Sequence, residues 1–372
     1  MRSERATRIA VLGGGPAGGA AALALARGGA EVVVYAPNLR GEKPCGGAVP
    51  EHLLGRLDGF DPTPLPAVRS PRAVLEAAPG WRIEVDLPGI RIFRRGDFDT
   101  ALLAAAVRAG ARRVAAPAER LTLAADGVTV HAAGEGRRFD WLICAAGARG
   151  LGRRTLAASA EGESVGLGGS LRGLDWSTMV LAFPDCADAY LWIFPRPGGA
   201  SVGIAYSVGE LSDGAARTLL EGFLDRHLPS GWRQLPGPRY RYPIPVYGPW
   251  TLPRVEAALR SRVLLVGDSA GLADPLTREG IRYAALSGGW AAEALLAGRP
   301  AAYLERLAAE LDPELGRARR AREIFFGGEL GQWTIPVSRL LPGVRQVLAD
   351  LLACRQPYRG LRRRLLAAAL GR

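Results

Sequence analysis

Three glycines, Gly13, Gly15 and Gly18, fall in the spacing G-x-G-x-x-G. A chain uses that spacing to lay its backbone against a pyrophosphate: Gly13 permits the tight turn, Gly15 lets backbone approach the phosphates, and Gly18, beside Ala17, lets helix and strand pack closely. A helix starting there offers free N–H groups and partial positive charge to the anion. Far downstream, Gly267-Asp268-Ser269-Ala270-Gly271 forms a second glycine turn. Its Asp268 ends a buried apolar run, where a carboxylate can accept hydrogen bonds from polyol hydroxyls or cap the segment that follows. Gly280 and Ile281 open another helix, whose N–H groups suit an electron-rich ring edge. Cys45 stands in K-P-C-G-G-A with Gly46 and Ala48, two residues from Lys43. It is read as a ligand-lining thiol, a catalytic one helped by the nearby cation, or a small apolar filler. Tyr190, Trp192 and Phe194 alternate, so all three point to one face of a strand, as an apolar pocket wall or as core.

Other chemistries lack their residues. His52, His131 and His227 are the only histidines, and none sits in a metal-ligand pattern. Cys45, Cys144, Cys186 and Cys354 form no C-x-x-C pair, which argues against a disulfide framework and for a reducing compartment. No carboxylate pair or Ser-His-Asp set is legible, so hydrolysis is disfavoured. The net charge of +12 comes almost wholly from arginine, Lys43 being the only lysine. With the alanine and glycine content, that skew reads as coding bias, and no nucleic-acid-binding signature accompanies it. The first residues form no signal-peptide core, and no long uncharged apolar run occurs. The expected location is cytoplasmic.

The elements that must position these groups are legible. Arg8–Leu12, the glycine turn, an alanine-rich helix over Pro16–Arg27 and the β-branched strand Glu31–Tyr35 make a βαβ unit. Asn38 to Pro50 is a loop. A helix is expected to start near Asp97 as its cap, a hairpin to turn at Asp126-Gly127, and buried strands to run over Trp141–Ala145 and Arg262–Val266. Aromatic, proline-rich alternation between Val165 and Tyr247 predicts an antiparallel sheet with one helix near Asp213–His227, and Gly280–Leu296 reads as helix. The fold class is therefore α/β: a discontinuous Rossmann-type domain (1–160 and 255–304, parts of the 60–95 region packing on the neighbouring domain), an antiparallel-sheet substrate domain (161–254) and a helical C-terminal region (305–372).

Several motifs in chain order resemble the geranylgeranyl reductase family, a branch of the p-hydroxybenzoate-hydroxylase-like flavoproteins. They are Lys43 to Pro50, KPCGGAVP; Arg95-Gly96-Asp97-Phe98-Asp99; Tyr190 to Pro195 with Gly203; Gly267 to Gly271 with Pro275 and Glu279-Gly280-Ile281; and Asp350-Leu351-Leu352 with Tyr358-Arg359-Gly360-Leu361. The resemblance implies FAD as cofactor, with Gly13, Gly15, Ala17, Gly18, Cys45, Gly46, Ala48, Arg95, Asp268, Gly280 and Ile281 around it. It also implies an apolar prenyl-type substrate against Tyr190, Trp192 and Phe194. The implied reaction is reduction of prenyl C=C bonds by hydride from reduced flavin N5, with NAD(P)H or a ferredoxin-like protein as external donor. Three positions depart from the pattern. The strand Glu31–Tyr35 ends Val34-Tyr35-Ala36-Pro37 without the usual acid, leaving Asn38 or backbone to substitute. Ala146-Gly147 replaces Asp-Gly, and Arg278-Glu279-Gly280 replaces Gly-Glu-Gly, which brings a cation near the expected ring.

Two rivals stand beside this reading: a flavin-dependent monooxygenase or halogenase on the same fold, and a degenerate flavoprotein with a binding role. At the C-terminus, Leu361, Leu365, Leu366 and Leu370 share one helical stripe beside Arg362, Arg363 and Arg364. Such a helix either packs on the body with a solvated arginine face or makes peripheral contact with an anionic membrane.

Overall fold

The computed structural model describes residues 7–37, 42–70, 72–78, 80–87, 89–151, 155, 163–184, 188–327 and 329–371; Asn38 and Cys186 lie outside them. Five short strands, all but the edge strand Arg112–Val114 largely apolar, form a wholly parallel sheet in the order Val263–Leu265, Trp141–Cys144, Arg8–Leu12, Glu31–Tyr35, Arg112–Val114. Val11 pairs with Val34 on one side and Ile143 on the other. Ile9 to Leu12, Val32 to Val34 and Leu142 to Cys144 are all buried. That is the pattern of strands covered on both faces. Helices Pro16–Arg27, Arg95–Arg108 and Ile281–Leu296 pack together beside it. The first and last touch backbone to backbone, because a Cβ on Gly288 would stand 2.1 Å from the Ala17 carbonyl oxygen. The helix expected from Asp97 begins two residues earlier, at Arg95, after an Arg94 without a side-chain cap. Asp97 sits in its first turn, where its charge complements the helix dipole.

Arg120–Ala124, Gly127–Ala132 and Glu135–Phe139 form a meander whose first turn is Ala125-Asp126, one residue before the expected Asp126-Gly127 because Gly127 already pairs with Ala124, and whose second is Ala133-Gly134. The second turn has φ of 51° and 80°, the positive pair that a right-twisted two-residue hairpin needs. A large sheet runs Arg239–Pro245, Glu163–Arg172, Gly199–Ser207, Ala189–Arg196, Met179–Phe183, Arg72–Ala77, Trp81–Asp86. It is antiparallel except where Met179–Phe183 meets Arg72–Ala77. It thus draws two strands from the segment between the first helices, long before the rest of its chain.

Alternation gives the large sheet two different faces. The back face carries Val165, Leu167, Ile193 and Ile204 against Phe223 and Leu224 of helix Asp213–His227. Ser212 starts that helix by accepting the Ala215 N–H at 3.1 Å. The front face, bearing Tyr190, Trp192 and Phe194, opens on a cavity shared with the parallel sheet. Beyond Ala301 the described chain is helical, ending in Leu361–Ala369.

Candidate functional site

One cavity of about 520 Å³ lies between the two sheets. Gly13 turns at φ 96°, and a Cβ there would meet the Ala145 carbonyl oxygen at 2.4 Å; a Cβ on Gly18 would meet the Gly13 oxygen at 1.9 Å. Only glycine closes this turn. At Gly15 the space is open instead, with the nearest groups, Asp99 and Arg95, at 3.8 and 3.9 Å from a Cβ. Gly15 also precedes helix Pro16–Arg27, which has no side-chain cap and no acid in its first turn. Its N-terminal N–H groups therefore remain for an anion. The distant glycine turn arrives at the same place. Gly267, at φ 55°, packs on Ala17 and Ala284, and Asp268 lies within 3.4 Å of where a Gly280 Cβ would be. Asp268 caps no long helix; it sits in the one-turn segment Gly267–Ser269, and Ser269 accepts the Gly147 N–H at 3.0 Å.

Register shows how the front of the large sheet becomes a trough. Trp192 pairs with Gly203, Gly203 with Gly168, and Gly168 with Tyr240. The next row is Tyr190, Ala205, Gly166, Tyr242. Aromatic walls on the two outer strands thus flank a floor of glycine and alanine. The Trp192 indole leans over that floor, since a Cβ on Gly203 would be 2.3 Å from its ring. Its Nε1–H donates to Ser201 at 3.2 Å, and Ser201 donates to the Cys45 carbonyl at 3.1 Å. Gly46 lies flat on Phe194, so the Cys45 loop closes that end. The Tyr190 hydroxyl donates to the Thr277 carbonyl at 2.8 Å, tying the opposite end to the loop ahead of Ile281–Leu296.

The charged groups here are held tightly. Arg95 donates twice to buried Asp99, at 3.0 and 2.9 Å; although burial opposes its charge, Asp99 and the neighbouring Cys45 raise its pKa. Burial pushes the Glu279 carboxyl up to about 7 against the Arg282 N–H and charge, with Asp274 and Asp268 adding to the rise. Asp274 is also raised by burial, though it accepts from the backbone of Leu276 and Thr277 and from the Tyr358 hydroxyl at 3.1 Å. Tyr358 thereby pins the C-terminal region to this loop. The Tyr240 hydroxyl is buried without a hydrogen-bond partner among the described residues, and burial raises its pKa.

Of the residues singled out in the sequence, Gly13, Gly15, Ala17, Cys45, Gly46, Arg95, Asp268, Gly280, Ile281, Tyr190, Trp192 and Phe194 all line this one cavity. Gly18 does not; it serves the turn behind it. Ala48 does not either: it pairs with Ile92 and packs against the apolar cluster that includes Trp192 and Ala205 of the trough. Tyr240, Tyr242 and Ile244 were missed. Their alternation in R-Y-R-Y-P-I-P has the same period as Tyr190-Trp192-Phe194 and was the available signal. The strand Glu31–Tyr35 confirms the missing acid: Glu31 sits at its far end, paired with Arg137 at 2.7 Å. Tyr35, Pro37, Pro117 and Ala118 make an apolar slot in the cavity wall instead.

These residues fit a flavin dinucleotide at three points: a glycine cradle and helix N-terminus for its phosphates, Asp268 for its polyol, and an apolar slot for its adenine. Among the described residues, no group of histidines, cysteines or carboxylates could hold a metal. No family model matches the chain. A geranylgeranyl diphosphate reductase from the chloroplast of Oryza sativa subsp. japonica is 31% identical over 335 residues, covering 80% of this chain and 68% of that protein. A solved geranylgeranyl bacteriochlorophyll reductase-like protein from Thermoplasma acidophilum shares the fold at TM-score 0.72 and 21% identity, covering 98% of this chain and 100% of that one. A flavin-dependent halogenase, CmlS, shares it at 0.59 and 19%, covering 87% and 63%.

Proposed function

The chain belongs to the geranylgeranyl diphosphate reductase family of oxidoreductases, and from that premise we propose that it binds FAD and saturates C=C bonds of a geranylgeranyl-type prenyl chain. The observation that carries this reading is the single cavity, which joins both glycine turns to the aromatic trough. Gly13, Gly15 and Ala17 with the Pro16–Arg27 N-terminus hold the phosphates, Asp268 the ribityl hydroxyls, and Gly280-Ile281 the ring edge. Bound there, the flavin supplies the hydride that a C=C reduction requires. Tyr190, Trp192, Phe194, Tyr240 and Tyr242 surround the apolar chain and exclude water from it. Arg95, fixed by Asp99, keeps the Cys45 loop in place; the Cys45 thiol lines the same cavity as the catalytic candidate, and a nearby acid or water supplies the proton. An external donor, NAD(P)H or a ferredoxin-like protein, provides the electrons.

Fold likeness alone includes a halogenase; family membership and a trough built for an apolar chain decide between the chemistries. No helix among the described residues is long and apolar enough to cross a membrane. The same reading keeps the chain cytoplasmic and sets the helix Leu361–Ala369 against an anionic lipid surface, where a prenyl lipid is collected. The test is anaerobic turnover of the flavin-loaded, chemically reduced protein with geranylgeranyl substrates of several head groups. Products heavier by two hydrogens per saturated bond are expected. Intact substrates throughout, or oxygen consumption coupled to substrate oxidation in air, would overturn the reading.

A further inference from the structure

The trough floor changes character at one end. After the row Tyr190, Ala205, Gly166, Tyr242 comes a row with Ser207 paired to Ser164, Ile244 at the outer edge, and Asp188 joined through the Ser207 N–H at 3.1 Å. Over these polar groups lies Arg278, its side chain wholly buried. Its Nε–H donates to Ser164 at 3.1 Å, and its Nη2 donates to Asp188 Oδ1 at 2.5 Å and to Ser207 at 3.2 Å. Tyr190 and Phe326 rings flank the guanidinium at 5.6 and 5.5 Å. Nη1 is buried and has no hydrogen-bond partner among the described residues, although Arg278 lines the cavity. The backbone there has φ 55°, a conformation that favours glycine and that a large side chain occupies only when its surroundings hold it.

Charge makes the two ends of the trough unequal. Beyond Phe194, buried Arg196 is matched one to one by buried Glu42 at 2.8 Å. At the Arg278 end, Asp188 is shared with Arg322, so two guanidiniums face one carboxylate. The row of Trp192 lies four residues from that of Asp188, roughly 13 Å along an extended strand. An apolar surface thus ends in a cation with a spare donor.

Resting on the prenyl-reductase reading, we propose that Arg278 anchors a phosphate or diphosphate end group of the substrate, which sets the apolar chain along the trough. Phosphate oxygens satisfy the spare Nη1–H and balance the surplus charge. Arg278 is then a specificity-determining residue, separating anionic from neutral prenyl compounds.

The experiment measures binding by calorimetry to the flavin-loaded protein. Its ligands are geranylgeranyl diphosphate, geranylgeraniol and inorganic pyrophosphate, and its proteins are the wild type, Arg278→Gly and Arg278→Lys. Glycine suits the backbone at this position, so loss of folding is not the expected outcome, and flavin content is checked at 450 nm. Expected is a tenfold or greater loss of diphosphate affinity in Arg278→Gly with geranylgeraniol unchanged, and partial rescue by lysine. Pyrophosphate that binds the wild type and not Arg278→Gly supports the anion site even if neither prenyl compound binds, in which case the prenyl reading alone fails. Equal affinities of Arg278→Gly and the wild type for both anions overturn the proposal and leave the prenyl reading standing. Parallel losses for the alcohol and the diphosphate also overturn it, by showing a packing role.

Discussion

At the scale of single residues, the site is governed by what burial does to polar groups. Glu279 illustrates it. One carboxylate oxygen accepts the Arg282 N–H at 2.7 Å, while the other is buried without a partner among the described residues. Its pKa of about 7 lies above the ordinary 4.5, so folding favours the protonated acid. The stability this gives is complete below about pH 4.5 and is lost as pH rises through 7. Glu279→Gln keeps the acceptor and removes the charge. The variant should match the wild type at pH 4.5 and exceed it at pH 8, by up to about 3 kcal/mol. Denaturant unfolding at the two pH values measures this; a stability difference independent of pH would contradict it. Arg278 shows the limit of reading such residues from sequence. Its identity was plain, but nothing in the string R-E-G tells that Asp188, ninety positions earlier, meets it at 2.5 Å.

At the scale of elements, most of the βαβ unit was legible because its signals are local. Strands with apolar residues on both faces, a glycine turn and a helix follow one another within 30 residues. The helix Asp213–His227 was equally plain, with Ser212 before it and Gly231 beyond its end. The start of Arg95–Arg108 was misplaced because Asp97 looks like a cap, whereas its ion pair with Arg94, 3.8 Å, belongs to the first turn. The trough was half legible. Tyr190-Trp192-Phe194 announced one wall and the alternation Tyr240-Tyr242-Ile244 offered the other, but that the two face each other across a glycine floor follows only from cross-strand register, which residue order does not disclose. The last helix is the element whose role can be decided by itself. No residue of Leu361–Ala369 is buried, and Leu366 and Leu370, one turn apart, are 58% and 71% exposed. Gly343 touches Ala368, placing Leu340, 79% exposed, in the same neighbourhood. An amphipathic helix packed only for stability would cover those leucines. Pelleting with phosphatidylglycerol-containing vesicles should exceed pelleting with neutral ones, and Leu366→Asp with Leu370→Asp should abolish it. Equal recovery in the supernatant with both vesicle types would show a solvated helix instead.

At the scale of the whole molecule, chain order separates what function joins. The parallel sheet takes strands from both ends of a stretch of more than 250 residues, and the large sheet takes two strands from between the first helices. That interleaving brings the front of the large sheet and both glycine turns to the wall of one cavity. The account therefore predicts that whatever fills the trough alters the surroundings of a flavin in the cradle. The measurement is a titration of the oxidised, FAD-loaded protein with geranylgeraniol, read as the visible difference spectrum near 450 nm, alongside Gly203→Val. In that variant the new side chain displaces the Trp192 ring into the trough. The wild type should show a saturable spectral change, and the variant should bind FAD but lose the response. A flavin that binds and stays indifferent to the prenyl alcohol in the wild type would contradict the account.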